Sequence, residues 1–172
     1  PVARVLRTGE GVRLEVEGDG PRVLDEVVIA AHADQALRML GDPSPDEERL
    51  LGAWRYEENR TVLHTDASVL PREREAWACW NFRRVAGEDR NVFVTYSMVT
   101  LNRPTPHDGS QVLADLVYHH PVYTVESMAT QAELASLNGR RGTWFCGSYF
   151  GFGFHEDAVR SAHEAAASLR RS

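Results

Sequence analysis

The stretch Gly142-Thr-Trp-Phe-Cys-Gly-Ser-Tyr-Phe-Gly-Phe-Gly-Phe-His-Glu-Asp-Ala-Val159 decides how this chain is read. Its apolar opening, Thr143 to Cys146, predicts a short buried strand. Gly147, Gly151 and Gly153 then punctuate a turn, and a helix is expected from near His155 into the alanine-rich stretch that ends at Leu169. Small residues at Ala158, Ala162, Ala165 and Ala166 would let that helix lie close against a sheet. A strand, a glycine turn and a small-faced helix aim the unsatisfied amides of a helix N-terminus at an anionic or electron-rich ligand. The glycines permit the close backbone approach such a ligand needs.

Outward from this segment the chain alternates strands and short helices. Val2 to Arg7 reads as a strand. Val12, Leu14 and Val16 alternate with Arg13, Glu15 and Glu17, the period of a half-buried strand. After the turn Gly18-Asp-Gly20-Pro21, a strand is expected over Val23 to Ala31, and the continuous apolar run from Val27 predicts cover on both faces. His32 to Leu40 suits a short helix closed by Gly41. Ser44, Pro45 and Glu47 form a capping box at the start of a helix expected to run to about Trp54.

Tyr56 to Thr65 reads as a strand and Asp66 to Arg74 as a loop. Two more strands, Ala76 to Phe82 and Val92 to Leu101, are joined by a polar turn over Val85 to Arg90. Asn102 to Asp108 is proline-rich and irregular. Gln111 to Tyr123 is open between helix and strand, with Pro121 either ending it or placing it at a sheet edge. Val125 to Leu137 carries apolar residues at Met128, Ala132, Leu134, Ala135 and Leu137, which suits a helix stopped by Asn138-Gly139. The sum is an α+β fold, a mostly antiparallel sheet with flanking helices.

The 172 residues suffice for one domain with a real core, and 42% hydrophobic with 26% charged residues is ordinary globular composition. The net charge of -6 argues against a general nucleic-acid binder, which needs a basic face. All 19 basic residues are arginine, which excludes a lysine Schiff base or a phosphate-loop lysine. Cys79 and Cys146 both sit in apolar settings and are expected to be buried thiols in a reducing cytoplasm. No apolar stretch approaches the roughly twenty residues that cross a bilayer, and no signal-peptide pattern opens the chain. Because it opens without Met and directly in a strand, the chain is expected either to have had residues removed or to be one piece of a longer protein.

Candidate chemistry is sparse. Gly151-Phe-Gly153 starts like a dinucleotide fingerprint but has Glu156 in place of the third glycine. Gly147-Ser148 lacks the glycine two residues before the serine that a nucleophile elbow wants. Among seven histidines none has the spacing that puts two metal ligands on one helix face. His64 and Asp66 could share a strand face, but two ligands make no site, so no metal is expected. Period two puts Trp80 and Phe82 on one strand face and Trp77 with Cys79 on the other. Core packing is expected for at least two of these three aromatics; the functional reading is an aromatic wall of a pocket. Glu156 and Asp157 suit the first turn of any helix.

Together these residues resemble a known family. Phe145-Cys-Gly147 followed by Gly153-Phe-His-Glu156-Asp-Ala-Val159-Arg-Ser-Ala162 is similar to the last FAD-binding motif of the flavin-dependent amine oxidases and related FAD-dependent oxidoreductases. Val27 to Leu37 resembles the strand and helix by which such enzymes return to the FAD domain. Thr61 to Asp66, Ala76 to Asn81, His120 to Tyr123 and Trp144 to Gly147 resemble a bacterial subgroup of predicted FAD/NAD-binding oxidoreductases.

The resemblance implies an α/β remnant, a C-terminal strand–glycine turn–helix of an FAD-binding fold. Residues 1–40 and 140–172 would be FAD-domain-like and 41–139 substrate-domain-like. It implies FAD as cofactor, held by Gly147, Ser148, Gly151, Gly153, Phe154, His155 and Glu156, and a small or apolar substrate against Trp80, Tyr96 and Tyr123. It names no catalytic acid or base. The family's glycine-rich N-terminal fingerprint is absent, so the resemblance is to a C-terminal portion, completed by its own N-terminal half. Ser148 stands where an acidic residue often follows the strand, and Asp157 where a glycine usually follows the motif's Glu. The alternative is a non-catalytic α+β binding or assembly module that lost its dinucleotide half and self-associates through the face left open.

Overall fold

The structure is a computed structural model that describes residues 1–84, 92–96, 98–103 and 108–171. The expected polar turn over Val85 to Arg90 lies outside the described residues, as does His107. In chain order, β1 (Val2–Thr8), β2 (Gly11–Val16), β3 (Arg22–Leu24) and β4 (Val27–Ile29) are followed by α1 (Ala33–Met39) and α2 (Pro45–Gly52). Next come β5 (Arg55–His64), β6 (Trp80–Arg84), β7 (Val92–Tyr96), β8 (Val99–Leu101) and β9 (Val112–Val122). Then α3 (Val125–Leu134), β10 (Thr143–Phe145) and α4 (His155–Leu169) close the described chain. The elements form two compact units, 1–56 with 121–172, and 57–120. The α+β class expected from the sequence is the class observed.

The first unit is built on two small sheets. β1, β2 and β3 form an antiparallel meander, and β4 pairs in parallel with β10. Leu50, Leu51, Trp54, Leu134, Leu137, Phe145 and Tyr149 are all but fully buried in its core, with Val5 and Val12 of the meander. The expected strand from Val23 is split in two at Asp25-Glu26, and Val28 is 43% exposed, so the apolar run is not covered on both faces. α2 begins as expected: the Ser44 hydroxyl accepts from the Glu47 amide, and Glu47 reaches back to the Ser44 amide at 2.7 Å. It stops at Gly52, two residues short of Trp54.

Alternation along β1 drives an arginine inward. Val5 and Arg7 share the buried face. The buried Arg7 guanidinium donates to both oxygens of Glu47 at 2.9 Å and to the Asp42 carbonyl at 2.7 Å. Burial alone would raise the Glu47 carboxyl; the hydrogen bonds from Arg7 and the Ser44 amide outweigh it and hold it below its ordinary range.

The second unit is a five-stranded sheet in the order β6-β7-β8-β5-β9. β9 is an edge strand that contains Pro121, which resolves the helix-or-strand ambiguity in favour of the edge. The single strand expected over Val92 to Leu101 is a hairpin, β7 paired antiparallel with β8. The strand expected from Ala76 starts only at Trp80, because Arg74–Ala76 turn as a short 3-10 helix. Apolar cover is thin here. Val69, Leu70 and Phe93 are its buried hydrophobic cluster, and Thr95, Thr100 and His64 are buried polar neighbours. His64 Nε2 and Thr100 Oγ1 lie 2.7 Å apart, and Thr100 and Thr95 hydroxyls 2.9 Å.

Candidate functional site

β10 and the helix after it carry the candidate site. Thr143, Trp144 and Phe145 are all buried, as the sequence implied. The far edge of β10 is already satisfied: the Asn138 side chain accepts from the Phe145 amide at 2.6 Å and donates to the Phe145 carbonyl at 3.1 Å. The chain then passes through Gly147, where a Cβ would meet the Tyr149 ring at 2.6 Å. One 3-10 turn, Ser148–Phe150, leads to Gly151.

The loop from Gly147 to Glu156 is held from beneath and open above. Asp157, buried at the third position of α4, accepts from the Phe152 amide at 2.9 Å and the Phe154 amide at 3.1 Å, and its other oxygen takes Arg160. Ser161 donates to the Gly147 carbonyl and accepts from the Gly147 amide. Gln131 of α3 donates to the carbonyls of Tyr149 and Gly151, and Tyr123 Oη donates to the Gly151 carbonyl at 3.2 Å. Burial, with the Asp157 charge behind it, pushes the Tyr123 hydroxyl up, so it stays protonated and keeps donating.

Above this base Phe152 is 69% and Phe154 62% exposed, and Gly153, His155 and Glu156 are exposed too. Among the described residues the amides of His155 and Glu156, at the first two positions of α4, take no partner. The loop therefore offers two free amides, flanked by aromatic side chains, on a fixed base. Gly153 takes φ +88°, and a Cβ there would meet Tyr123 Oη at 2.6 Å.

The small-residue face of α4 is only partly as expected. Asp157, Ser161 and Ala165 are its buried positions, while Ala162 is exposed. Asp157 is the residue whose role the sequence understated. It was readable as a first-turn acid, yet it builds the glycine loop from inside. α3 likewise buries Ser127, Thr130 and Leu134 rather than Ala132 and Ala135, because Thr130 accepts from Trp54 Nε1 and donates to the Ser127 carbonyl. Gln131 gave no sequence signal, since a glutamine on a helix is ordinary until its carbonyl partners are known.

Of the expected aromatic wall, Trp80 and Tyr96 lie in the second unit on paired strands, ring centroids 4.9 Å apart edge to face. Tyr123 lies in the first unit, bound to Gly151 and packed edge-on against Trp54. The expected core packing of the strand aromatics is overturned. Trp80 is 65% and Phe82 74% exposed on β6, an edge strand, and Trp77, which precedes it, is 37% exposed. Cys79 is also exposed, against expectation, while Cys146 is buried and burial pushes its thiol up. Asp66 caps a 3-10 turn and pairs with Arg103, and His64 Nε2 lies 2.7 Å from Thr100 Oγ1.

No family model and no curated protein matches the sequence. Solved structures do match the fold. A CLA-producing fatty acid isomerase from P. acnes superposes with a TM-score of 0.58 at 14% identity, over 98% of this chain and 46% of that one. Cyclohexylamine oxidase from Brevibacterium oxydans IH-35A gives 0.61 at 13% identity, over 98% and 47%. A protein described as a protoporphyrinogen oxidase from Exiguobacterium sp. 255-15 gives 0.60 at 15%, over 98% and 46%. The chain thus spans less than half the length of each of these three structures. At these identities the likeness is one of fold, and it is the fold that the resemblance to a C-terminal portion of the amine oxidase-like oxidoreductases implied.

Proposed function

We propose that this chain is the C-terminal part of an FAD-dependent, amine oxidase-like oxidoreductase. The observation that carries the reading is the loop Gly151–Glu156, held by Asp157, Gln131 and Tyr123 and presenting the free amides of His155 and Glu156 on a fold shared with such enzymes. These residues fit a flavin. Gly147, Ser148, Gly151 and Gly153 would let the backbone lie along it, and Phe154, His155 and Glu156 would present the N-terminus of α4 to negative charge on the ring system. When bound, the flavin supplies the acceptor of a hydride or its equivalent. The chain's part is placement and field: Asp157 fixes the direction of the Phe152 and Phe154 amides, and Tyr123 and Gln131 keep the loop carbonyls turned inward and away from an electron-rich partner.

The open edge of β4 supports completion by another half. β10 is closed on its far side by Asn138, but β4 carries an apolar groove of about 240 Å³ lined by Val2, Val5, Leu14, Val28 and Met39. Parallel strands are normally covered on both faces, and a two-stranded parallel sheet is unusual alone. In this reading residues 1–40 and 140–172 belong to the FAD side and 41–139 to the substrate side, with Trp80 and Tyr96 offering aromatic surface to a small or apolar substrate. The neighbours named for a fatty acid, an amine and a porphyrinogen leave that substrate open. Free thiols at Cys79 and Cys146 suit the cytoplasm.

The test is to express the chain alone and joined to a half bearing the glycine fingerprint, then record flavin absorbance after desalting. The joined protein should retain flavin, and a Gly153→Val variant should lose it. A folded, joined protein without flavin sinks the reading.

A further inference from the structure

A second cavity lies wholly within the second unit. It measures about 700 Å³, in the range of small-molecule sites, and opens between the 3-10 turn Ala67–Val69, the turn Arg74–Ala76 and β6. Its wall is apolar at Val69, Leu70, Trp77 and Phe82. Its polar lining is dominated by three arginines: Arg72, Arg74 and Arg83. Among the described residues no carboxylate lines it, although the chain carries 25 acidic residues against 19 basic ones. The arginines are not drawn off into ion pairs either. Arg74 lies over the Trp77 ring at 5.4 Å, Arg83 reaches the Ser68 carbonyl at 3.5 Å, and neither they nor Arg72 pair with an acid among the described residues.

The cavity is also braced. Trp77 Nε1 donates to the Pro71 carbonyl at 2.8 Å across its rim. The Asn81 side chain accepts from the Ala78 amide at 3.3 Å and donates to its carbonyl at 2.6 Å, which fixes the turn into β6. A cleft with one sign of charge and low-dielectric walls concentrates its field and so selects the opposite charge. Guanidinium groups match carboxylate and phosphate oxygens in geometry, and the aromatic wall demands an apolar body behind the head group.

We infer that this cavity binds an organic anion with an apolar body, its acidic head among Arg72, Arg74 and Arg83 and its body against Trp77 and Phe82. The site is independent of the flavin reading, since none of its residues belongs to the glycine loop.

Decanoate, decanol and decylamine, each kept below its micelle-forming concentration, separate the two requirements. Tryptophan fluorescence of the intact chain should respond saturably to decanoate, and the response should disappear in Trp77→Phe. Decanol and decylamine should bind at least about tenfold more weakly, the loss expected when a charge-assisted hydrogen bond goes. Arg74→Gln and Arg83→Gln, each with an unchanged circular dichroism spectrum, should weaken decanoate by a similar factor. Decyl phosphate should compete with decanoate, because the head-group chemistry is shared. Equal binding of decanol, undiminished binding by both arginine variants, or no saturable response to decanoate from folded protein overturns the inference.

Discussion

The two units are held together by different means. In the first, large apolar side chains from helices and strands meet: Leu50, Leu51, Trp54, Leu134, Phe145 and Tyr149 are each 1% exposed or less. In the second, the buried hydrophobic cluster is Val69, Leu70 and Phe93, and threonines with one histidine fill the neighbouring positions. The second also leaves large apolar side chains outside, among them Phe82, Leu113, Val117 and Trp80, each more than half exposed. The first unit is arranged to hold a loop still, the second to present surface. In the proposed reading the glycine loop of the first unit would support the cofactor and the exposed aromatics of the second would offer surface to a substrate.

The largest effect should come from the buried ion pair of the first unit. Glu47→Ala leaves the Arg7 guanidinium buried without its carboxylate and removes the α2 capping box, so it should cost about 4 kcal/mol in urea unfolding. The pair also sets an acid limit. Glu47 titrates below its ordinary 4.5 in the folded chain, so its contribution is complete above that value and drains away as pH falls further. Glu47→Gln should flatten the loss of stability between about pH 5 and pH 3. An unchanged acid limb would mean that the core of the first unit does not depend on this pair.

Next, Leu50→Ala should cost about 3 kcal/mol, because the side chain is fully buried among close-packed neighbours. Val69→Ala in the second unit should cost about 1 kcal/mol, since fewer carbons are removed from a thinner core. Parity between the two, measured by the same denaturation, would break the contrast.

Gly151 tests the link between packing and the site. A Cβ there falls on the Asp157 carboxylate, which must swing away from the Phe152 and Phe154 amides. Gly151→Ala should cost about 2 kcal/mol and abolish flavin retention by the completed protein. Full retention in that variant would show that the loop does not need its present shape.

Much of this was legible in the sequence wherever local chemistry decides. The capping box at Ser44, the alternation in β2, the strand at Thr143 and the glycine loop all follow from rules spanning a few residues. The failures share one cause: they needed to know what lies opposite. The strand at β6 looked like core because its aromatics are apolar, and only the folded chain shows that Trp80 and Phe82 stay exposed on an edge strand. Nothing local marks Arg7 as buried, because its partner Glu47 stands forty residues on. Asp157 looked like a helix-dipole acid because its true partners are loop amides.

At high pH the first unit should weaken before the second. Burial pushes the Tyr56 hydroxyl from 10.0 up to about 12, and burial raises Tyr149 as well. The folded state prefers both neutral, so their stabilisation is complete below about pH 10 and is lost as pH climbs towards 12. Discounted for partial exposure, Tyr56 contributes about 1 kcal/mol to that loss. Tyr56→Phe should remove this share of the alkaline decline, followed by thermal melts from pH 9 to about 12. A variant with the wild-type alkaline slope would place the titrating groups elsewhere.

The smallest expected change is the most informative about the second unit. Trp80 is 65% exposed, so Trp80→Ser gives up little burial and mainly its edge-to-face contact with Tyr96. The cost should be about 0.5 to 1 kcal/mol. A bulky aromatic that contributes so little to folding, on a strand with open ladder groups, is surface kept for contact rather than for stability. A loss above about 2 kcal/mol would instead mark Trp80 as core, since only buried or networked side chains cost that much. The second unit would then be a closed body like the first, and its exposed aromatics could no longer be read as a platform for substrate.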